Sequence, residues 1–262
     1  MKLTVGFTIA SLVSVLCCSG CATSPTGRRQ ANLVSDDQTR QMGDQAWTEV
    51  RAKYKETSDQ AVRDFVNKVA ARVIAAGSLA KEKWDVIAFD SKEVNAFALP
   101  GGHIGVFTGI IPVAGNEAGL ATVLAHETGH VIARHSQERV SDELVSQGLM
   151  GVVGAVIGNP AAHPAVMSAL GLGAQVGFLL PFSRSQEAEA DHEGLLIMSQ
   201  AGYDPNEAIS FWNRMVAANP GEPPAFLSDH PATSDRIAAL KARAGRRSRP
   251  APARVAARPP AA

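Results

Sequence analysis

The pentapeptide His126-Glu127-Thr128-Gly129-His130 sets two imidazoles and a carboxylate at a spacing that suits metal-assisted hydrolysis. In a helix, at about 100° per residue, His126 and His130 stand about 40° apart and one turn from each other on a single face. Imidazoles placed that way can share one Zn²⁺, and Glu127 beside them can reach water at the metal. Helical geometry is what the surrounding run predicts. Asn116-Glu117-Ala118-Gly119 puts polar and acidic residues at the positive end of the helix dipole. Leu120, Val123, Leu124, Val131 and Ile132 are apolar, so this helix should be buried among other elements.

A mononuclear catalytic zinc needs a third protein ligand. The extended pattern HExxHxxGxxH is absent, because its later positions are Ala133 and Ser136 here. On a continuous helix His135 falls about 180° from His126 and faces away, as a surface or second-layer residue. The stretch Ser183-Arg184-Ser185-Gln186-Glu187-Ala188-Glu189-Ala190-Asp191 opens a second helix with Glu187 and Asp191 on one face. One carboxylate as ligand and a second that orients a ligand histidine would complete the site. Glu189 lies about 200° from Glu187 and cannot share its face. Glu193 is the other candidate, and Glu187 is preferred.

Four motifs occur in order: Asn95-Ala96-Phe97-Ala98-Leu99-Pro100-Gly101-Gly102, the HExxH pentapeptide, the Ser183 to Asp191 stretch, and His230-Pro231 followed by Arg236-Ile237. The set resembles family forty-eight of the metallopeptidases, over roughly residues 22–241. That family includes CAAX-prenyl endopeptidases, HtpX-type membrane proteases and bacterial periplasmic lipoprotein proteases. The resemblance implies a zinc metalloendopeptidase with one Zn²⁺ per chain, His126, His130 and Glu187 as its ligands, and Glu127 as the catalytic base. It implies Asp191 as the carboxylate behind a ligand and His230 as a histidine that approaches the metal. His230 could latch the fourth zinc position at rest or assist catalysis as an oxyanion donor; a neutral loop histidine is the remaining reading. Asn95, Ala96, Phe97 and Ala98 would supply the edge strand for an extended substrate, where main-chain pairing accepts many sequences. Thr128 departs from the bulkier apolar residue common in the family, and its side chain should point away from the metal.

The elements that must position these residues can be read from periodicity and punctuation. Helices are expected over Asp36 to Tyr54 and Asp59 to Ala76, the second stopped by Gly77. Lys83 to Phe89, Asn95 to Leu99 and Ile104 to Thr108 read as strands, the last two turned into a hairpin by Pro100-Gly101-Gly102. Gly148 to Pro181, Gly- and Ala-rich and nearly uncharged, reads as two helices or a mobile cover near the cleft, with a membrane-dipping hairpin as the alternative. Further helices are expected over Ser183 to Gln200, from Asp204-Pro205 through Ala217, and over Thr233 to Ala244; His230 sits in the Pro-rich loop Asn219 to Pro231. The expected fold is α+β and mainly helical, a gluzincin-type metalloprotease domain with a small antiparallel sheet along the active-site cleft.

With 262 residues and 45% hydrophobic content, the chain can bury one sizeable core. Lys+Arg and Asp+Glu balance at 25 each, which argues against a nucleic-acid partner. Lys2 and the apolar run Leu3 to Leu16 read as a signal peptide, too short to span a bilayer. All three cysteines lie at positions 17, 18 and 21, and the small residues before Cys21 predict lipidation there, with Ala22 directing the product to an outer membrane. The expected division is 1–20 signal peptide, 21–32 lipidated tether, 33–244 metalloprotease domain and 245–262 disordered Arg/Pro/Ala tail. The expected location is periplasmic and lipid-anchored, with unfolded or misfolded envelope proteins as substrates. A periplasmic chaperone or assembly factor with little proteolysis is the competing class, against which the intact Glu127 argues.

Overall fold

The computed structural model describes residues 21–77, 79, 83–146, 182–218, 225–231 and 234–247. The expected signal peptide, the Gly/Ala-rich segment 148–181 and the tail beyond 247 lie outside them. The order is β1 (Cys21–Thr23), β2 (Arg29–Ala31), α1 (Asp36–Lys53), α2 (Gln60–Ala76), β3 (Asp85–Phe89), β4 (Ala96–Leu99) and β5 (His103–Phe107). Then follow α3 (Ile110–Ala114), α4 (Glu117–Ile132), α5 (His135–Ser146), α6 (Arg184–Gln200), α7 (Glu207–Ala217), α8 (Ala225–Asp229) and α9 (Ser234–Arg247).

The fold is mainly helical around a three-stranded sheet of order β3-β5-β4. The sheet is mixed, where an antiparallel one was expected. β4 and β5 form the expected antiparallel hairpin, but β3 runs parallel to β5 because the chain crosses to the far side of β5 before entering β4. Side-chain alternation shows which residues face which layer, and it says nothing about strand direction. Ala88, Ala96, Ala98, Ile104 and Val106 face the large core shared with α2 and α4. Ile87, Phe89, Leu99 and Phe107 face the other way and pack with Ala46 and Trp47 of α1. Gly101 and Gly102 turn the hairpin with φ of 99° and 87°, a region that costs other residues steric strain.

Helix α4 is the central element. Every residue from Gly119 to His130 is buried, so it is covered on all sides, as its apolar run predicts. The Asn116 side chain caps it by accepting from the Gly119 N–H at 2.8 Å. Helix α6 starts with a reciprocal capping box between Ser183 and Gln186. The two helices cross at small residues. A Cβ on Gly129 would lie 2.8 Å from the Ala190 carbonyl oxygen, and one on Gly194 would lie 3.2 Å from the His126 nitrogen.

Several boundaries differ from expectation. Helix α4 ends at Ile132, Arg134 adopts a left-handed φ of 56°, and His135 begins α5 instead of continuing α4. Helix α7 starts at Glu207, because the Asp204 side chain accepts from the Asn206 N–H and makes a turn of the segment expected to be its first turn. Part of the expected loop before His230 is the short helix α8. Helix α9 extends past Arg243 to Arg247. No helix among the described residues is long and apolar enough to cross a membrane.

Residues 21–31, expected as a tether, form the antiparallel hairpin β1-β2. Arg28 docks it: its guanidinium pairs with both carboxylate oxygens of Glu138 and, at 3.1 Å, with Glu189. Burial alone would raise the Glu189 pKa, but donors from Ser24, Thr26 and His135 outweigh it and hold the group down to about 2. Its folded-state pKa lies below the ordinary 4.5, so this contribution is complete above about pH 4.5 and is lost as pH falls toward 2. The difference in unfolding free energy between wild type and Thr26→Val should therefore narrow across that window; a constant difference would refute the assignment. At the helix crossing, Gly129→Ala should cost about 1–3 kcal/mol by overpacking against backbone and weaken metal binding. Thermal unfolding together with metal titration checks both, and an unchanged protein would mean that the crossing is not tight.

Candidate metal centre

Helix α4 delivers His126 and His130 from successive turns, with their Nε2 atoms 3.1 Å apart. The close crossing places Glu187, in the first turn of α6, over both rings. Its Oε1 lies 3.3 Å from His130 Nε2 and its Oε2 3.4 Å from His126 Nε2. Helix α8 ends at Asp229 and presents His230, whose Nδ1 is 2.9 Å from Glu187 Oε1 and 3.2 Å from His126 Nε2. All four residues are buried, and their donor atoms lie within 4.8 Å of one another. Glu193, the alternative third ligand, is not in this group.

The donors fit zinc. A tetrahedral ion with bonds of about 2.0–2.2 Å has ligand–ligand edges of about 3.3–3.6 Å, and the five separations given above, from 2.9 to 3.4 Å, fall at or inside that size. Three imidazole nitrogens and one carboxylate are the borderline donors zinc prefers. Glu127 Oε1 is buried without a hydrogen-bond partner among the described residues, which a metal-bound water would remedy.

A second layer orients these donors. Asp191 Oδ1 lies 3.1 Å from His126 Nδ1, which holds a proton on Nδ1 and leaves Nε2 as the nitrogen that faces the other donors. Arg236 of α9 spans both carboxylates. Its Nε and Nη2 donate to the two Asp191 oxygens at 2.7 and 2.8 Å, and its Nη1 is 2.5 Å from Glu187 Oε2. The guanidinium lies 3.8 Å over the Trp212 ring. Burial would raise the Glu187 pKa, but His126, His230 and Arg236 hold it well below the usual carboxylate range. Asp191 is likewise lowered against the effect of burial, chiefly by Arg236. Both groups therefore stay ionised, as ligation requires. Sequence reasoning gave Arg236 no role; its only signal was its position after His230-Pro231.

Glu127 points from the same helix toward β4. Its Oε1 is 3.4 Å from His230 Nε2. Burial pushes its pKa up, while His230, His126 and the backbone N–H of Ala98 partly offset that rise. β4 is an edge strand. Phe97 pairs with Gly105 and covers it with its ring, so alternation turns the backbone of Ala96 and Ala98 away from β5. Asn95 accepts from the Ala96 N–H through its side chain. Phe182 also went unread in the sequence: its ring lies 3.8 Å from that of His130 and 5.0 Å from that of His230. Beside it a cavity of about 370 Å³ opens between Arg184, Glu187, Asp191, Pro231 and Arg236.

The donor set on a helical scaffold is that of a zinc metallopeptidase domain. The family model for peptidase family M48 matches residues 59–244, and the chain belongs to that family. Over 224 residues it is 39% identical to the mitochondrial metalloendopeptidase OMA1 of Schizosaccharomyces pombe, covering 81% of this chain and 63% of that protein. OMA1 of Saccharomyces cerevisiae is 40% identical over 164 residues, covering 59% and 45%. The beta-barrel assembly-enhancing protease of Escherichia coli is 27% identical over 225 residues, covering 83% and 46%. The chain thus spans 45 to 63% of the length of these relatives.

These relatives overturn the expected location. A periplasmic protein held by lipid to an outer membrane was read from a few small residues before Cys21, yet the relatives at 39 and 40% identity are mitochondrial enzymes. The cysteine pattern is short, and Cys21 itself begins a folded hairpin.

Glu187→Ala should release or strongly weaken zinc, and Asp191→Ala should weaken it by about 10–100-fold, as removal of a ligand-orienting carboxylate does. Metal content of the purified variants decides: full zinc in Glu187→Ala would remove Glu187 from the ligand set.

Proposed function

We propose that the chain is a zinc-dependent endopeptidase that cleaves unfolded or misassembled proteins presented as extended strands. One observation carries the reading: a buried carboxylate, Glu127, stands between the His126–His130–Glu187 donors and the backbone of an edge strand. Zinc held by His126, His130 and Glu187 supplies a Lewis acid that makes water more acidic and polarises a carbonyl. The carbonyls of Ala96 and Ala98 on the edge of β4 are main-chain groups on which a substrate strand can lie, which favours extended segments over folded ones. Glu127 takes the proton of the attacking water and passes it to the leaving amine; its raised pKa lets it carry that proton between the two steps. Arg236 and Asp191 hold His126 and Glu187 in place while this happens.

His230 serves as a latch. Its Nδ1 sits among the ligand atoms, and with it in place the donor set is filled from within the protein. Withdrawal of α8 would free one position for water and substrate. The relatives' names support proteolysis of protein substrates. A binding factor without cleavage would leave Glu127 buried beside the donors with nothing to do.

Glu127→Gln should keep fold and zinc stoichiometry and lose cleavage of an unfolded substrate such as casein by about 10²–10⁴-fold, the usual contribution of a general base; undiminished cleavage would refute the mechanism. His230→Ala, at matched zinc content, should raise basal cleavage. A fall of about 10²–10³-fold would instead make His230 an oxyanion donor, and no change would remove both roles.

A further inference from the structure

His135 and Glu189 take no part in the reaction just described, yet they are among the most enclosed polar side chains of the protein, at 0% and 3% exposure. The break at Arg134 brings His135 back beneath the metal-binding turn. His135 Nδ1 meets His130 Nδ1 at 2.8 Å, and His135 Nε2 meets Glu189 Oε2 at 3.1 Å. The left-handed backbone of Arg134 that makes this return possible is sterically disfavoured in a non-glycine residue, so the surrounding structure enforces it.

The direction of the hydrogen bonds follows from the groups around Glu189. Its Oε1 accepts from the Thr26 hydroxyl at 2.6 Å and the Thr26 N–H at 3.3 Å. Its Oε2 accepts from Arg28 Nε at 3.2 Å and Nη2 at 3.1 Å, as well as from His135. Every one of these neighbours can donate, so His135 carries its proton on Nε2 and presents Nδ1 as an acceptor. His130 must then place its own proton on Nδ1, which leaves its Nε2 lone pair aimed at Glu187, His126 and His230. This arrangement parallels the one that Asp191 imposes on His126, with an extra imidazole inserted.

We propose that His135 and Glu189 are positioning residues that fix the tautomer and orientation of His130, and that Thr26 and Arg28 make the hairpin β1-β2 a working part of the metal centre. The proposal rests on the reading of His126, His130 and Glu187 as zinc donors. The hairpin needs no contact with metal or substrate. It acts along one line, from Arg28 through Glu189 and His135 to His130. Arg28 is fixed in turn by Glu138, which also accepts from the Gln30 and Gln186 side chains. The residues that follow the N-terminal segment are thereby tied to the affinity of the site for zinc.

The test is zinc affinity by chelator competition on the full chain, independent of proteolysis. His135→Leu and Glu189→Gln should each weaken zinc about 10–100-fold, as outer partners of ligand histidines do. His135→Asn keeps an acceptor near the Nδ1 position and should restore most of the affinity lost in His135→Leu. Arg28→Gln should weaken zinc severalfold in the wild type and add nothing in the His135→Leu background. Imidazole ¹⁵N shifts should show His130 protonated at Nδ1 in the wild type, with or without metal. Folded His135→Leu and Glu189→Gln proteins with wild-type zinc affinity would overturn the proposal, as would His130 protonated at Nε2. Should His135→Leu fail to fold, Arg28→Gln and the shifts decide it. A wild type that binds no zinc would overturn the zinc reading of the cluster, while the His130 shifts would still decide the relay.

Discussion

The closeness of α4 and α6 is the constraint on which the rest depends. The two helices touch through Gly129 against Ala190 and Gly194 against His126. That approach lets a carboxylate from one helix share a point in space with two imidazoles from the other. Close packing at this crossing comes at the expense of two helical glycines, each unfavourable by roughly 1 kcal/mol relative to alanine. The cost is offset by a core that encloses α4 on every side, from the alanines of β4 to Phe211 and Trp212 of α7. A metal site assembled this way is rigid because its scaffold is the densest part of the protein.

Much of this was legible in the sequence. Asn116, Ser35, Asp59 and Ser183 each sit where a helix must satisfy its first free N–H groups, so their helices begin where the capping residues stand. The pair His126 and His130, and the pair Glu187 and Asp191, follow from the helical repeat alone. The meeting of the two pairs does not, since nothing local says which helix crosses which. His135 lies behind His130, which fits the second-layer alternative and excludes the surface one, but the helical repeat alone could not choose between them. A straight helix carries it to the far side, and the turn that returns it uses Arg134, a residue with no preference for left-handed backbone. Arg236 and Phe182 act only through tertiary contact. The hairpin at residues 21–31 was hidden because its stability comes from Glu138 and Glu189, more than a hundred positions away.

Charge in the interior is arranged as two alternating chains that converge on the same donors. On one side Arg236 faces Asp191 and Glu187, and these face His126. On the other side Arg28 faces Glu189, and Glu189 faces His135 and then His130. Glu187, Asp191, Glu138 and Glu189 each have a guanidinium behind them, which is how ionised groups are tolerated at this depth. The pattern also separates His126 from His130. His126 has Asp191 at its Nδ1, and its pKa, which burial would lower, is carried up to about 9 by Glu187 and Asp191, so a metal binding at Nε2 would release a proton there. His130 has an imidazole at its Nδ1, and burial keeps it well below its ordinary value although Glu187 pulls it up.

Arg236 stands late in the chain, on α9, and that has a consequence for the protein as it leaves the ribosome. His126 and His130 emerge early, but Glu187, then His230, and finally Arg236 must follow before the donors can be held together. An arginine that contacts Asp191 and Glu187 from α9 closes a loop of more than a hundred residues back to His126. Contacts of that span form late, after the intervening helices have collapsed. A nascent chain halted before α9 carries His126 and His130 without the arginine that faces Asp191 and Glu187. The arrangement of donors described here is therefore complete only once α9 has been made and has docked.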